Sequence, residues 1–269
     1  MRSKSRLRCI CAAVFPLLLG GCALFGKAPL DVLTYSSLED SLQHKRLIVF
    51  MRGMGGSHES FEKEGMVDDI RNRHIPYDMA APNAHYGYYL GRTLIERMNT
   101  DLIGPAKTEG YEEIWLIGFS MGGLGSLLYL KEHPENITGV YLIAPFLGLG
   151  FIQDEILAAG GLRHWDPGQY DPESDWQRAL WHWLKDEVAD NPAMNIYISY
   201  GTEDTYVKGQ NLLAQVLPPG RVTALTGGHD YATFRSLWQD LLDSGIYVSS
   251  IPEATAQRRV DSKTTVSDN

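Results

Sequence analysis

The residues best suited to chemistry lie between Glu113 and Leu130. The apolar run Ile114 to Ile117 reads as a buried parallel strand, Gly118-Phe119-Ser120-Met121-Gly122 as a tight turn, and Leu124, Leu127, Leu128 and Leu130 recur at helical spacing. Glycine on both sides keeps the turn clear of large side chains and projects the Ser120 hydroxyl above the strand end. The following helix aims its N-terminus, with free N–H groups and partial positive charge, at the same place. A hydroxyl beside an anion-stabilising cradle is what nucleophilic acyl transfer needs. A serine that merely caps a glycine-rich turn is the competing reading; strand, G-x-S-x-G and helix in that order favour the nucleophile.

The elements that position this turn begin after a leader. Arg2, Lys4, Arg6 and Arg8 precede an apolar run from Ile10 to Leu19, broken by Pro16 and too short for a permanent span. Leu19-Gly20-Gly21-Cys22 follows and resembles the lipobox of bacterial lipoproteins. The resemblance implies removal of residues 1–21 as a signal peptide and lipidation of Cys22, which would become the new N-terminus. Ala23 is not the aspartate that retains such lipoproteins in the inner membrane, so the expected location is the outer membrane, facing the periplasm. The three cysteines are Cys9, Cys11 and Cys22, which leaves the processed chain without a pairable thiol and reliant on its core.

Loss of the leader's four basic residues takes the formal charge from −9 to −13. Such an acidic chain is a poor partner for nucleic acid or an anionic membrane surface, so the membrane connection is expected to come from the lipid.

Residues 22–46 read as a lipidated tether and lead-in. Leu47 to Met51 is a second buried strand, and Arg52 to Ser57 a glycine-rich loop. A polar helix is expected over Glu59 to Arg73, a short strand over Ile75 to Met79, and a helix over Tyr86 to Asn99 with Leu90, Leu94, Ile95 and Met98 on one face. Gly139 to Ala144, Ile196 to Tyr200 and Arg221 to Leu225 are further strands, with a last helix over Tyr231 to Asp243. Alternation of this kind implies a mostly parallel sheet flanked by helices. Residues 148–191 interrupt it with Trp165, Trp176, Trp181 and Trp183, and read as an inserted cap, helical in part from Asp175 to Val188. Its aromatic residues either shape a pocket or glue the cap to the sheet; Trp165 and Trp176 are the pocket candidates. The polar residues 248–269 form a tail beyond a domain of residues 47–247.

With these elements in place, Leu47 to Ser244 resembles the α/β-hydrolase superfamily, of the serine esterase and lipase type. That family orders its site as nucleophile, acid, histidine. Gly201-Thr202-Glu203-Asp204 resembles its acid loop and Gly227-Gly228-His229-Asp230 its histidine turn. The resemblance makes Asp204 the acid, with Glu203 and Asp230 as rivals, and His229 the base. It places the oxyanion donors at the backbone N–H of Met121 and of Met54, with Gly55 as the alternative to Met54. Arg52 stands where the family usually has histidine; it could meet an anionic substrate or pair with Glu59 or Glu62. His85 falls near the carboxyl edge of the sheet and is a possible pocket residue.

His58, His74, His133, His164 and His182 lack zinc-ligand spacing, and the Gly53 to Gly56 loop lacks the residues of a phosphate or dinucleotide loop. Neither metal nor cofactor is expected. The resemblance implies cleavage of a small-molecule or lipid-like carboxylic ester through an acyl-enzyme. An acyltransferase, thioesterase or amidase would share the site, and a non-catalytic envelope scaffold would share the fold. Acyl length, alcohol and oligomeric state are left open.

Overall fold

The computed structural model describes residues 26–37, 45–189 and 191–245. The leader, Cys22 and the tail from residue 246 lie outside them. Seven strands form one sheet: β1 Val32–Tyr35, β2 Lys45–Met51, β3 Asp78–Pro82, β4 Tyr111–Phe119, β5 Gly139–Ile143, β6 Ile196–Gly201 and β7 Val222–Leu225. Their order is β1-β3-β2-β4-β5-β6-β7, and every pairing is parallel except that of β1 with β3.

The strands read as continuous apolar runs are the central ones. Residues 46–51 of β2 and all of β5 are buried on both faces of the sheet. Their side chains alternate between two cores. Val49, Met51, Leu116 and Leu142 face one layer of helices; Ile48, Phe50, Ile117 and Tyr141 face the other. β1 was not foreseen. Val32 to Tyr35 lies within residues expected to be a tether, and its four residues keep the half-exposed pattern of an edge strand, which gives no apolar run to read.

Among the described residues, the helices are α1 Ser60–Lys63, α2 Met66–Asn72, α3 Tyr86–Leu90, α4 Leu94–Met98, α5 Gly104–Thr108, α6 Met121–Glu132, α7 Gly150–Ala158, α8 Trp176–Trp183, α9 Val207–Ala214 and α10 Tyr231–Asp243. Two expected long helices are broken. Gly65, at φ +75°, divides α1 from α2, and Arg92, at φ +54°, lies between α3 and α4. The strand expected over Ile75 to Met79 is shifted to Asp78–Pro82. Helix α8 continues as a π-helical turn, Leu184–Val188, matching the expected helical stretch of the cap; α7 and α9 were not anticipated.

The cap is fastened down. Trp181 is fully buried and its Nε1 donates to the Leu147 carbonyl at 3.0 Å. The Gln153 and Gln210 amides donate to the carbonyls of Gly148 (3.0 Å) and Pro145 (3.2 Å), and Gln177 Oε1 accepts from the Leu149 N–H. Trp181, Gln153 and Gln177 of the cap, with Gln210 from α9, therefore satisfy a crossover backbone that has no strand partner.

Candidate active site

Strand β4 ends at Phe119, and the chain reverses into α6 at a single strained residue. Ser120 has φ +51° and ψ −116°, a region that non-glycine residues occupy only under constraint. The constraint is visible. The Ser120 N–H donates to the Ile143 carbonyl at 3.1 Å, and the Ser120 carbonyl accepts from Gly123 and Phe146, both at 2.9 Å. The motif glycines exist for close approach: a Cβ at Gly122 would stand 2.0 Å from the Met51 carbonyl oxygen, and one at Gly118 2.5 Å from that of Gly122. Only without those atoms can α6 start against the ends of β2 and β4.

His229 lies in the turn between β7 and α10. Its Nε2 is 2.9 Å from Ser120 Oγ, and its Nδ1 is 2.8 Å from Asp204 Oδ2. Asp204 is 2% exposed, and its Oδ1 accepts from the Tyr206 N–H at 2.7 Å. The rivals are elsewhere. Asp230 caps α10 by accepting from the Thr233 N–H at 2.9 Å, and that bond holds its carboxyl below the usual carboxylate range. No bond joins Glu203 to His229. The imidazole edge is held between two aromatic rings, Tyr206 (4.8 Å, interplanar angle 90°) and Phe234 (4.9 Å, 85°), which limits its rotation. A buried carboxylate on one nitrogen and a hydroxyl on the other is a geometry able to draw a proton from the hydroxyl and return it to a leaving group.

Met121 opens α6, so its N–H has no acceptor within the helix. Gly53 brings the loop after β2 against Ser120: a Cβ there would be 3.3 Å from that of Ser120. Arg52 explains how this loop is held. Its guanidinium donates to the carbonyls of Gly53 (3.2 Å) and Met54 (3.1 Å) and to Asn83 Oδ1 (2.8 Å). Burial draws its pKa down. The expected partners Glu59 and Glu62 are instead bonded by Lys63 and by the Tyr35 hydroxyl. Two successive carbonyls turned to the guanidinium leave the loop's N–H groups free to face the other way.

A cavity of 1260 Å³ opens at Ser120, with Arg52, Met54, Met121, Trp176 and His229 on its walls. Two pocket candidates are not on those walls. Trp165 is 1% exposed inside the cap, where its Nε1 donates to Glu155 (2.8 Å) and Arg178 stacks on its ring; tryptophan spacing cannot tell which side a ring faces. His85 caps α3, its Nδ1 accepting from the Gly87 N–H at 3.1 Å. Burial and, less, nearby Arg52 lower its pKa.

Residues that sequence reasoning overlooked support the site from behind. The Tyr89 hydroxyl donates to the Met121 carbonyl at 3.0 Å, and Gly125 leaves it room, since a Cβ there would lie 2.4 Å from that oxygen. Asn83 follows β3 at the carboxyl edge, and that position was its only available signal. Among the described residues, no group of three or more His, Cys, Asp or Glu side chains is arranged to hold a metal, and no helix is long and apolar enough to cross a membrane.

The family model described as "Putative esterase" matches residues 61–243. The chain belongs to the Esterase family. It is a carboxylic ester hydrolase of α/β-hydrolase fold. Similar solved structures include a ferulic acid esterase (16% identity, covering 79% of this chain and 97% of that one, TM-score 0.54). An α/β hydrolase from the metagenome of Mar Chica lagoon sediments in Morocco is 19% identical (81% and 95% covered, TM-score 0.52). A fluorophosphonate-binding serine hydrolase of Staphylococcus aureus is 11% identical (80% and 98%, TM-score 0.52). At these identities the likeness is one of fold. No curated protein matches this esterase.

Proposed function

We propose that this esterase cleaves its ester through an acyl-serine intermediate on Ser120, with His229 as base and then acid and Asp204 holding the imidazole. The observation that carries this reading is the unbroken line of hydrogen bonds from Asp204 through His229 to Ser120 Oγ at the cavity floor. His229 Nε2 takes the hydroxyl proton as Oγ bonds to the ester carbon. The N–H groups of Met121 and Met54 receive the negative oxygen. The carbon–oxygen bond to the alcohol then breaks, and Nε2 gives its proton to that oxygen, releasing the alcohol. Water attacks the acyl-serine by the same proton path, yielding the carboxylic acid and free Ser120.

Labelling with a fluorophosphonate, read by intact mass beside turnover of a short-chain nitrophenyl ester, tests this. One adduct is expected on the native protein and none on Ser120→Ala. Both Ser120→Ala and His229→Ala are expected to lose about a thousandfold or more in kcat. Retained hydrolysis in folded Ser120→Ala would remove the nucleophile assignment.

We further infer that the enzyme is anchored at the bacterial outer membrane by lipid on Cys22, facing the periplasm. The support is the basic, apolar and small-residue order that ends in Leu19-Gly20-Gly21-Cys22. Cells fed radiolabelled palmitate should label the native protein and not Cys22→Ser, which should leave the membrane fraction. Equal labelling of both would refute the anchor.

A further inference from the structure

The cavity is larger than the few hundred to about 1,000 Å³ that suffices for a compact small molecule. Its extra length runs along α6. Met121, Leu124, Leu128 and Lys131 all border it, and at 100° per residue they form one stripe of that helix. From Met121 to the last turn the stripe is on the order of 15 Å long. Ile95 of α4 forms one facing wall, and Trp176, Ala179 and Leu180, one face of α8, form the other. This is an apolar groove between three helices, beginning at Ser120. Lys131, in the last turn of α6, marks its far end, and an exposed ion pair, Arg92 with Glu173 (3.1 Å), also borders the cavity. Around His229 the lining is aromatic: His229 abuts Phe234, which neighbours Phe119 (6.3 Å), itself beside Phe61 (5.6 Å), and all three phenylalanines border the cavity.

The reaction decides which half of the ester enters the groove. The departing oxygen must come within hydrogen-bond reach of His229 Nε2, so the alcohol lies towards Phe234. The negative oxygen is taken by the amides. The remaining substituent of the tetrahedral carbon is the acyl chain, and the remaining direction is the groove along α6. We propose that this groove is an acyl-binding site and that the esters turned over carry a long unbranched aliphatic acyl chain. The groove has the requisite length and, in Leu124, Leu128, Ile95, Ala179 and Leu180, an apolar lining.

This inference rests on Ser120 as nucleophile and is separable from it. The test compares nitrophenyl butanoate with nitrophenyl dodecanoate, and butyl acetate with dodecyl acetate, all below their aggregation concentrations. The native enzyme should favour dodecanoate over butanoate in kcat/KM by at least about tenfold, since each methylene in the groove adds binding. Leu128→Trp and Ala179→Trp narrow the groove from opposite walls. Each should cut the dodecanoate-to-butanoate ratio by about tenfold or more and leave the dodecyl-to-butyl acetate ratio in place. Both positions are half-buried and lie on different helices, so each variant guards against misfolding of the other. A native preference for butanoate would overturn the proposal. So would an unchanged acyl ratio in a folded Ala179→Trp, or a loss confined to the alcohol series. If no ester in either series were turned over in a Ser120-dependent way, the nucleophile assignment itself would fall, and the groove assignment with it.

Discussion

Two segments leave neighbouring strands at the same edge of the sheet and are built on opposite principles. The turn after β4 is held by backbone. Ser120 bonds to Ile143 and Gly123, and the glycines around it remove every atom that would keep α6 from β2 and β4. The segment after β5, residues 145–149, is held by side chains: Gln210, Trp181, Gln153 and Gln177 reach it from three helices. One backbone bond, from the Phe146 N–H to the Ser120 carbonyl, couples the two. The first segment is a steric fit in which no part can be altered alone. The second is a sum of separate bonds, each contributing about 1 kcal/mol, so it can be weakened in steps.

The strongest way to break this contrast is Gly122→Ala. The added Cβ would meet the carbonyl oxygen and carbon of Met51 at 2.0 and 2.4 Å and the carbonyl oxygen of Arg52 at 2.7 Å, all backbone atoms with no rotamer to yield. A loss of about 3 kcal/mol or more is expected, lowering the melting temperature by roughly 10 °C, together with loss of ester turnover as Ser120 shifts from His229. Thermal unfolding and nitrophenyl ester hydrolysis on the same preparation check both. A native melting temperature would show that the start of α6 has slack that its contacts do not suggest.

The same contrast explains what could be read from the chain. The turn at Ser120 was legible because its determinants lie within a few residues: an apolar run, two flanking glycines, a helical repeat. The turns that bring Asp204 and His229 to it were legible through their likeness to those of a family, each following a strand. β2, β4 and β5 were legible because burial on both faces leaves an unbroken apolar run. The edge strand β1, half-exposed, left none. The joints at Gly65 and Arg92 depend on a φ angle that an apolar stripe passes over without a mark. Arg52 was recognisable as unusual, but its partner Asn83 follows the neighbouring strand, 31 residues on, and nothing local selects that amide over Glu59. Trp165 shows the same limit: its type said buried aromatic, while its direction was set by Glu155 and Arg178. Contacts made by long-range side-chain bonds stay hidden until the fold is assembled.

Gln177→Ala probes the divisible segment and carries the smaller effect. Gln177 is 8% exposed, and its Oε1 is the acceptor for the Leu149 N–H. Truncation leaves that N–H without its partner, but Leu149 is 55% exposed, so water can replace the lost acceptor. About 1 kcal/mol and a fall of roughly 2–4 °C in melting temperature are expected, with hydrolysis of a butanoate ester within about threefold of native. Gln210, Trp181 and Gln153 still fix residues 145–148, and Phe146 still bonds Ser120, so Ser120 has no reason to move. Hydrolysis falling as far as in Gly122→Ala would mean that the Phe146–Ser120 bond transmits strain freely. The segment after β5 would then be part of the same indivisible fit as the turn it borders.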